Sequence, residues 1–303
     1  MRIGVMSGAT PGPDGTLDGL VARAKDLEAR GFDSIWMANI FGLDAITAQA
    51  IVGRETSRIE LGTAVVPTYP RHPSAIAQQT MTTQAACKGR FTLGIGLSHK
   101  LVIEDMLGMS YEKPARHMRE YLSVLGPLLR CEPVKFEGEE YRVTLGIDVP
   151  GASETPVLIA ALGDMMLKIA GSMTAGTILW MTGAETIEGH IAPKLKAAAS
   201  EAGRRDPRIV AGFPIVVTDN EAGAREAIGQ GLAMYGSLPS YRAMLDKEGA
   251  AGPADIAIVG NEAAVGDALK RLEDVGVTDF DAAIFPFEDS TDQRTLDFLQ
   301  SQL

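Results

Sequence analysis

Two stretches of this chain hold the residue types from which a site could be built. Leu61–Pro73 reads LGTAVVPTYPRHP and Gly89–His99 reads GRFTLGIGLSH. Each is an apolar β run that stops abruptly at residues able to make unusual backbone turns. Small Ala64 ahead of Pro67, and Gly94 and Gly96 ahead of Leu97 and Ser98, would let backbone come close to a flat ligand. His99 adds an imidazole that titrates near neutrality and could hydrogen-bond a ligand or donate a proton. Asn39, in SIWMANIFGLDAI, could donate or accept hydrogen bonds but cannot exchange protons. No Ser-His-Asp set, carboxylate pair or His-rich metal cluster accompanies them.

Chemistry at strand ends needs a scaffold that gathers strand ends at one rim. Short β-rich runs alternate with helical stretches along the whole sequence, the pattern of βα units around a parallel sheet. Eight strands are expected, near Ile3–Met6, Ser34–Ala38, Glu60–Val65, Phe91–Gly96, Val157–Ala161, Thr177–Met181, Val210–Val217 and Ala282–Phe285. Eight units imply a closed (β/α)8 barrel, a TIM barrel of class α/β, forming a single domain over residues 1–303. Helices Asp18–Arg30 and Ala264–Val275 each end at a glycine, Gly31 and Gly276, and the flanking EARGFDSIW and EDVGVTDFDAAIF repeat one helix–turn–strand unit. Two segments break the rhythm: a hairpin expected within 134–150 around Glu137-Gly138-Glu139, and surplus helix over 221–252. Insertions of this kind cover the open end of a barrel or join copies of the chain, which leaves room for a homo-oligomer.

In such a barrel the site lies at the carboxyl ends of the strands. The positions just past each run, among them Ala161–Asp164, Met181–Gly183 and Phe285–Phe287, are apolar and short of acids and bases. A smooth rim of this kind suits an organic cofactor that does the hard chemistry itself. The net charge of −11 argues against a nucleic-acid partner, because phosphate contacts need clustered Lys and Arg. No apolar window is long enough for a bilayer, and Met1–Val5 already reads as strand, not export signal. Cys87 and Cys131 lie too far apart in sequence for a zinc or disulfide framework, so the expected home is a reducing cytoplasm.

The two strand-end motifs, and the order of elements from Arg2 to Leu299, resemble the luciferase-like monooxygenase superfamily, in particular its oxidoreductases that use the deazaflavin coenzyme F420. The resemblance implies a non-prolyl cis peptide at Ala64–Val65, in a bulge backing the central ring of the cofactor. It implies that Gly96, Leu97, Ser98 and His99 line the pyrimidine side and ribityl chain. It sets the amides of Ala160, Ala161, Leu162 and Gly163 against the cofactor chain and phosphate, with Asp164 competing for the same amides. Arg71 and Lys100 are the cations left to balance an acidic cofactor tail. Arg116 and Glu120, four apart on a helix, could pair.

The implied function is hydride transfer between F420 and a small, largely apolar molecule bearing C=C, C=N or C=O. Phe41, Trp180, Met181 and Phe285 would form the substrate pocket, with Trp36 near it. One departure matters: many F420-using relatives carry an Asp-His pair where this chain has Asn39-Ile40, so His99, with Asn39 in a hydrogen-bonding role, is the catalytic candidate. The nearest rival reading is an FMN-dependent monooxygenase using oxygen; another is a protein that binds a flavin or deazaflavin without catalysis.

Overall fold

The computed structural model describes residues 1–8, 12 and 15–303. Its strands are β1 (Arg2–Met6), β2 (Ser34–Met37), β3 (Glu60–Thr63), β4 (Val66–Pro67), β5 (Phe91–Gly96), β6 (Val134–Glu137), β7 (Arg142–Leu145), β8 (Val157–Ile159), β9 (Gly176–Trp180), β10 (Arg208–Val217), β11 (Ile258–Gly260) and β12 (Asp279–Ile284). Parallel pairing runs β1–β2–β3–β5–β8–β9–β10–β12 and returns from β12 to β1, which closes an eight-stranded TIM barrel. β4 resumes β3 after a break and pairs with β5, while β11 lies beside the far end of β10.

The closure follows from period-two alternation. Ile3, Val5, Ile35, Leu61, Leu93 and Ile95 face outward into the main core with the surrounding helices. The inward set holds Trp36, Leu158, Ile178 and Val210, with Ala64 and Val65 packed against them. Trp36 therefore fills the barrel interior and is not at the rim; Gly62 makes room for it, since a Cβ there would lie 2.2 Å from the indole. Its Nε1–H donates to Ser34 Oγ at 2.9 Å.

Polar residues close the amino-terminal end of the barrel. Arg208 pairs with Glu60 at 2.9 Å and Asp279 at 2.6 Å, and Arg2 reaches the same two carboxylates at 2.6 and 3.1 Å. Burial pushes the Glu60 carboxyl up, yet the Arg208 and Arg2 charges outweigh it and hold the group below the usual range. A cavity of about 460 Å³ opens here, lined by Arg2, Asp33, Arg58, Glu60, Arg90 and Arg208 among others. This is the barrel face that serves stability, opposite the one that carries chemistry. Two residues along β12 from Asp279, Asp281 is fully buried, and neither of its carboxyl oxygens has a hydrogen-bond partner among the described residues. Burial, helped by the Asp279 charge, raises its pKa well above the usual carboxylate value.

Where the strands differ from sequence expectation, polar residues are the reason. The last barrel strand begins at Asp279 instead of Ala282, because two inward-facing aspartates interrupt its apolar pattern. The short β11 escaped notice. The hairpin β6–β7 forms with Glu137 opposite Arg142. Glu120 does not pair with Arg116: its carboxylate accepts N–H bonds from Glu139, Glu140 and Tyr141 at 3.1, 2.8 and 3.2 Å, while Arg116 pairs with Glu139 and Glu140. Both residues pin the hairpin to the helix Pro114–Leu129. The stretch 221–252 forms helices Glu221–Gly231, Ala233–Ser237 and Pro239–Glu248. Among the described residues no helix is long and apolar enough to cross a membrane.

Candidate active site

At the carboxyl end of β3 the chain breaks out of the sheet, and the peptide bond Ala64–Val65 is cis. Hydrogen bonds lock the bulge on both sides. Ala64 N–H donates to Met37 O at 2.8 Å, Thr63 Oγ1 donates to Gly94 O at 2.8 Å, and Gly94 N–H donates back to Thr63 Oγ1 at 2.8 Å. Thr68 N–H reaches Gly96 O at 2.9 Å. The two glycines permit this contact: a Cβ on Gly94 would stand 1.9 Å from Thr63 O, and one on Gly96 2.7 Å from Val65 Cγ2 and 3.3 Å from Ala160 Cβ. Ala64, Val65 and Ala160 stay partly open. The result is a shallow floor of small side chains at the barrel mouth.

Past β5 the chain turns sharply, with Ser98 at φ 61° and its carbonyl accepting from Tyr111 Oη–H at 3.2 Å. Leu97 packs against the main core. His99 is half-buried, its ring 5.7 Å from that of Tyr241. Burial lowers its pKa below the ordinary histidine value, so at neutral pH the imidazole is uncharged.

Asn39 stands beside the bulge, its N–H donating to Val65 O at 3.4 Å. Its Oδ1 accepts from Ala45 N–H at 3.0 Å and from Arg71 at 3.5 Å, which ties the loop after β2 to the helix Ala45–Glu55. Arg71 is itself paired with Asp44 at 2.9 Å, and exposed Lys100 with Glu104 at 3.5 Å. Neither is a free cation.

The segment after β8 leads into an uncapped helix start. Ala160 N–H bonds Ile95 O at 2.9 Å, Ala161 is buried, and Leu162 O accepts from His190 Nε2 at 2.8 Å. Gly163 precedes the helix Asp164–Met173 without any side-chain cap, and nothing lies within 4 Å of where its Cβ would be. Asp164 does not compete for the helix amides as expected: its carboxylate is drawn aside by Lys194 at 2.5 Å and by His190 Nδ1 at 3.9 Å. Free N–H groups at a helix start favour a bound anion.

The four pocket candidates part company. Trp180 is half-buried and inward-facing, its Nε1 shielded from solvent and without an acceptor among the described residues. Met181, at φ 47°, is buried with Leu245 and Ile256, and Phe285 packs with Leu232, Val216 and Ile228 under the helical insertion. Phe41 is 70% exposed.

Two residues that sequence reasoning passed over complete the mouth. Tyr235 and Tyr241 come from the insertion, with ring centroids 5.3 Å apart, and Tyr235 meets Trp180 edge-on at 6.2 Å. His99, Tyr241, Tyr235 and Trp180 thus form a row of rings from the end of β5 to the end of β9. Both tyrosines lay in the apolar helical pattern of 221–252, but their reach across the mouth carries no sequence signal. His117 was also unassigned. It is buried, stacks on Tyr69 at 3.9 Å and bonds Thr68 Oγ1 at 2.9 Å just beyond the bulge, and burial lowers its pKa to about 4.

Comparison with known proteins agrees with this architecture. A protein of Mycobacterium tuberculosis, provisionally named a coenzyme F420-dependent oxidoreductase, is 30% identical over 238 residues, 71% of this chain and 66% of its own length. The coenzyme F420-dependent tetrahydromethanopterin reductase of Methanopyrus kandleri superposes with a TM-score of 0.82 at 21% identity, covering 100% of this chain and 98% of that one. The oxygenating constituent of 3,6-diketocamphane monooxygenase from Pseudomonas putida, solved with FMN, gives a TM-score of 0.75 at 15% identity over 99% and 96% of the two chains. The family model described as luciferase-like monooxygenase matches residues 1–279, and the chain belongs to that family.

Proposed function

We propose that the protein is an oxidoreductase that binds coenzyme F420 at the barrel mouth and exchanges a hydride with a small, largely apolar substrate. The observation that carries this reading is the flat floor at Ala64–Val65, pressed close by Gly94 and Gly96, beside the uncapped turn at Gly163. A flat ring fits the first and a phosphate the second. The name of the 30%-identical relative supports F420 as the ring's owner. When bound, the deazaflavin supplies two electrons and a proton as hydride from C5 to an unsaturated carbon, and a second proton must reach the neighbouring atom.

The residues divide the remaining work. Ala64 and Val65 back one face of the ring, and the amides at Gly163 hold the phosphate. The row of rings from His99 to Trp180 lines the other face. His99 is neutral at neutral pH, so it supplies a proton only under acid conditions and solvent supplies it otherwise. Turnover should therefore rise as pH falls through the lowered His99 pKa, and His99→Ala should remove that acid limb with little change in thermal stability. A pH–rate profile unchanged by the substitution would remove His99 from proton transfer.

A second reading has one observation in its favour. F420 ends in a polyglutamate tail, yet Arg71 and Lys100 are both paired with carboxylates, whereas FMN has no such tail to balance. Titration of the purified protein with F420 and with FMN decides between them. Retained F420, which stays reduced in air until an acceptor is added, is the expected outcome. Tight FMN binding without F420 binding, or rapid oxygen uptake with oxygen appearing in the product, would establish the monooxygenase.

A further inference from the structure

The chain has two tryptophans, and they are treated differently. Trp36 gives its N–H to Ser34 Oγ at 2.9 Å. Trp180 gives its N–H to no acceptor among the described residues, although that atom is closed off from water. Buried donors are paired in the great majority of cases, so an orphan calls for an explanation. Its placement suggests one. Trp180 is in register with Gly212 on β10, and with no side chain there the indole lies over the glycine: a Cβ on Gly212 would be 3.0 Å from its Cε3. The ring thus belongs to the inner wall of the mouth, roofed by Tyr235.

We propose that the Trp180 indole N–H is the donor that reads the substrate, and that the substrate is a flat apolar molecule bearing one uncharged acceptor, a carbonyl oxygen or an imine nitrogen. The inference rests on the oxidoreductase reading only in calling the bound molecule a substrate. An indole N–H donates one hydrogen bond and carries no charge, so it suits a neutral acceptor better than a carboxylate. Arg71 and Lys100, on the loops after β4 and β5, are already paired with carboxylates. Aromatic faces on Tyr241 and His99 provide the apolar walls.

Access comes from the roof. The insertion is latched at one end, where Glu248 accepts from Thr186 N–H at 2.7 Å and Thr186 Oγ1 at 2.6 Å. The stretch 232–238, which carries Tyr235, bonds only within the insertion among the described residues: Tyr235 N–H to Leu232 O at 3.0 Å, Leu238 N–H to Tyr235 O at 3.3 Å, Ser237 Oγ to Met234 O at 2.8 Å. Only apolar packing, through Leu232 and Tyr235, holds this stretch to the barrel, so its displacement breaks no hydrogen bond to the barrel among the described residues.

Indole-15N-labelled protein gives two side-chain N–H signals, and Trp180→Phe assigns them. Acetophenone is the probe, and ethylbenzene is its partner of similar shape without an acceptor; each is added to the protein with and without F420. Acetophenone should move the Trp180 signal downfield and leave Trp36 in place, and ethylbenzene should move neither in that direction. Trp180→Phe should weaken acetophenone binding about tenfold, the scale of one lost hydrogen bond. Tyr235→Ala should leave the acetophenone shift intact, and its loss would overturn binding beneath a movable Tyr235 roof. Equal responses to the two probes, absence of acetophenone binding, or unchanged binding in Trp180→Phe would overturn the proposal. If F420 is not retained but the acetophenone shift appears, the cofactor reading fails and this one stands.

Discussion

Gly94→Ala is expected to leave little or no folded protein. The added Cβ would sit 1.9 Å from Thr63 O and 3.0 Å from Thr63 C, so the obstacle is backbone and cannot rotate away. Thr63 is also the residue whose hydroxyl is bonded to both the N–H and the carbonyl of Gly94. Relief of the clash therefore breaks the join between β3 and β5 at the point where the bulge begins. One extra methyl in a packed core usually costs about 1–3 kcal/mol, and a backbone obstacle puts this case at or beyond the top of that range. Thermal unfolding and soluble yield are the measurements. Gly163→Ala is the control, because open space surrounds that position: it should fold normally. A Gly94→Ala protein with wild-type melting would refute the close approach of β5 to the bulge.

Asp281→Asn should stabilise the protein, and increasingly so as pH rises. The Asp281 carboxyl is fully buried, lacks hydrogen-bond partners among the described residues and has a raised pKa in the folded state. The sign follows from proton binding. Between the unfolded carboxylate value near 3.9 and the raised folded value, the native state holds a proton that the unfolded chain releases, so stability falls as pH rises through that window. An uncharged amide of the same shape does not titrate and removes that slope. The gain should be about 1.4 kcal/mol for each unit by which the pKa is raised, until the folded value is passed. Melting curves from pH 5 to pH 9 test it: the variant's advantage should be smallest at pH 5 and grow as pH rises until the folded pKa is passed. A constant difference across that range would mean that Asp281 is ionised in the folded protein.

Most of the barrel was legible because its signal is local. Alternating apolar residues and the glycines at 31 and 276 mark strands and helix ends within a few positions of where they occur. The cis bond at Ala64–Val65 was legible only through resemblance, since nothing in GTAVVP alone distinguishes it from a buried strand with a proline turn. Contacts between distant elements were not legible. Arg116 and Glu120 look like a helix pair until the hairpin is present to draw both away. Asp164 looks like a cap until Lys194, thirty residues on, takes its charge. Tyr235 and Tyr241 look like core residues of a surface helix until the insertion folds back over the mouth.

The order in which the barrel closes has a consequence for synthesis. Strands β1 and β10 share one neighbour, β12, which is the last barrel strand to be made. Until it emerges from the ribosome, both flanks of the nascent sheet present bare N–H and C=O groups, the arrangement that invites pairing with other chains. Arg2, made long before, likewise waits for Asp279. A ribosome stalled before residue 279 would therefore hold an open, sticky sheet, and chaperone capture should drop sharply once the β12 segment has cleared the exit tunnel.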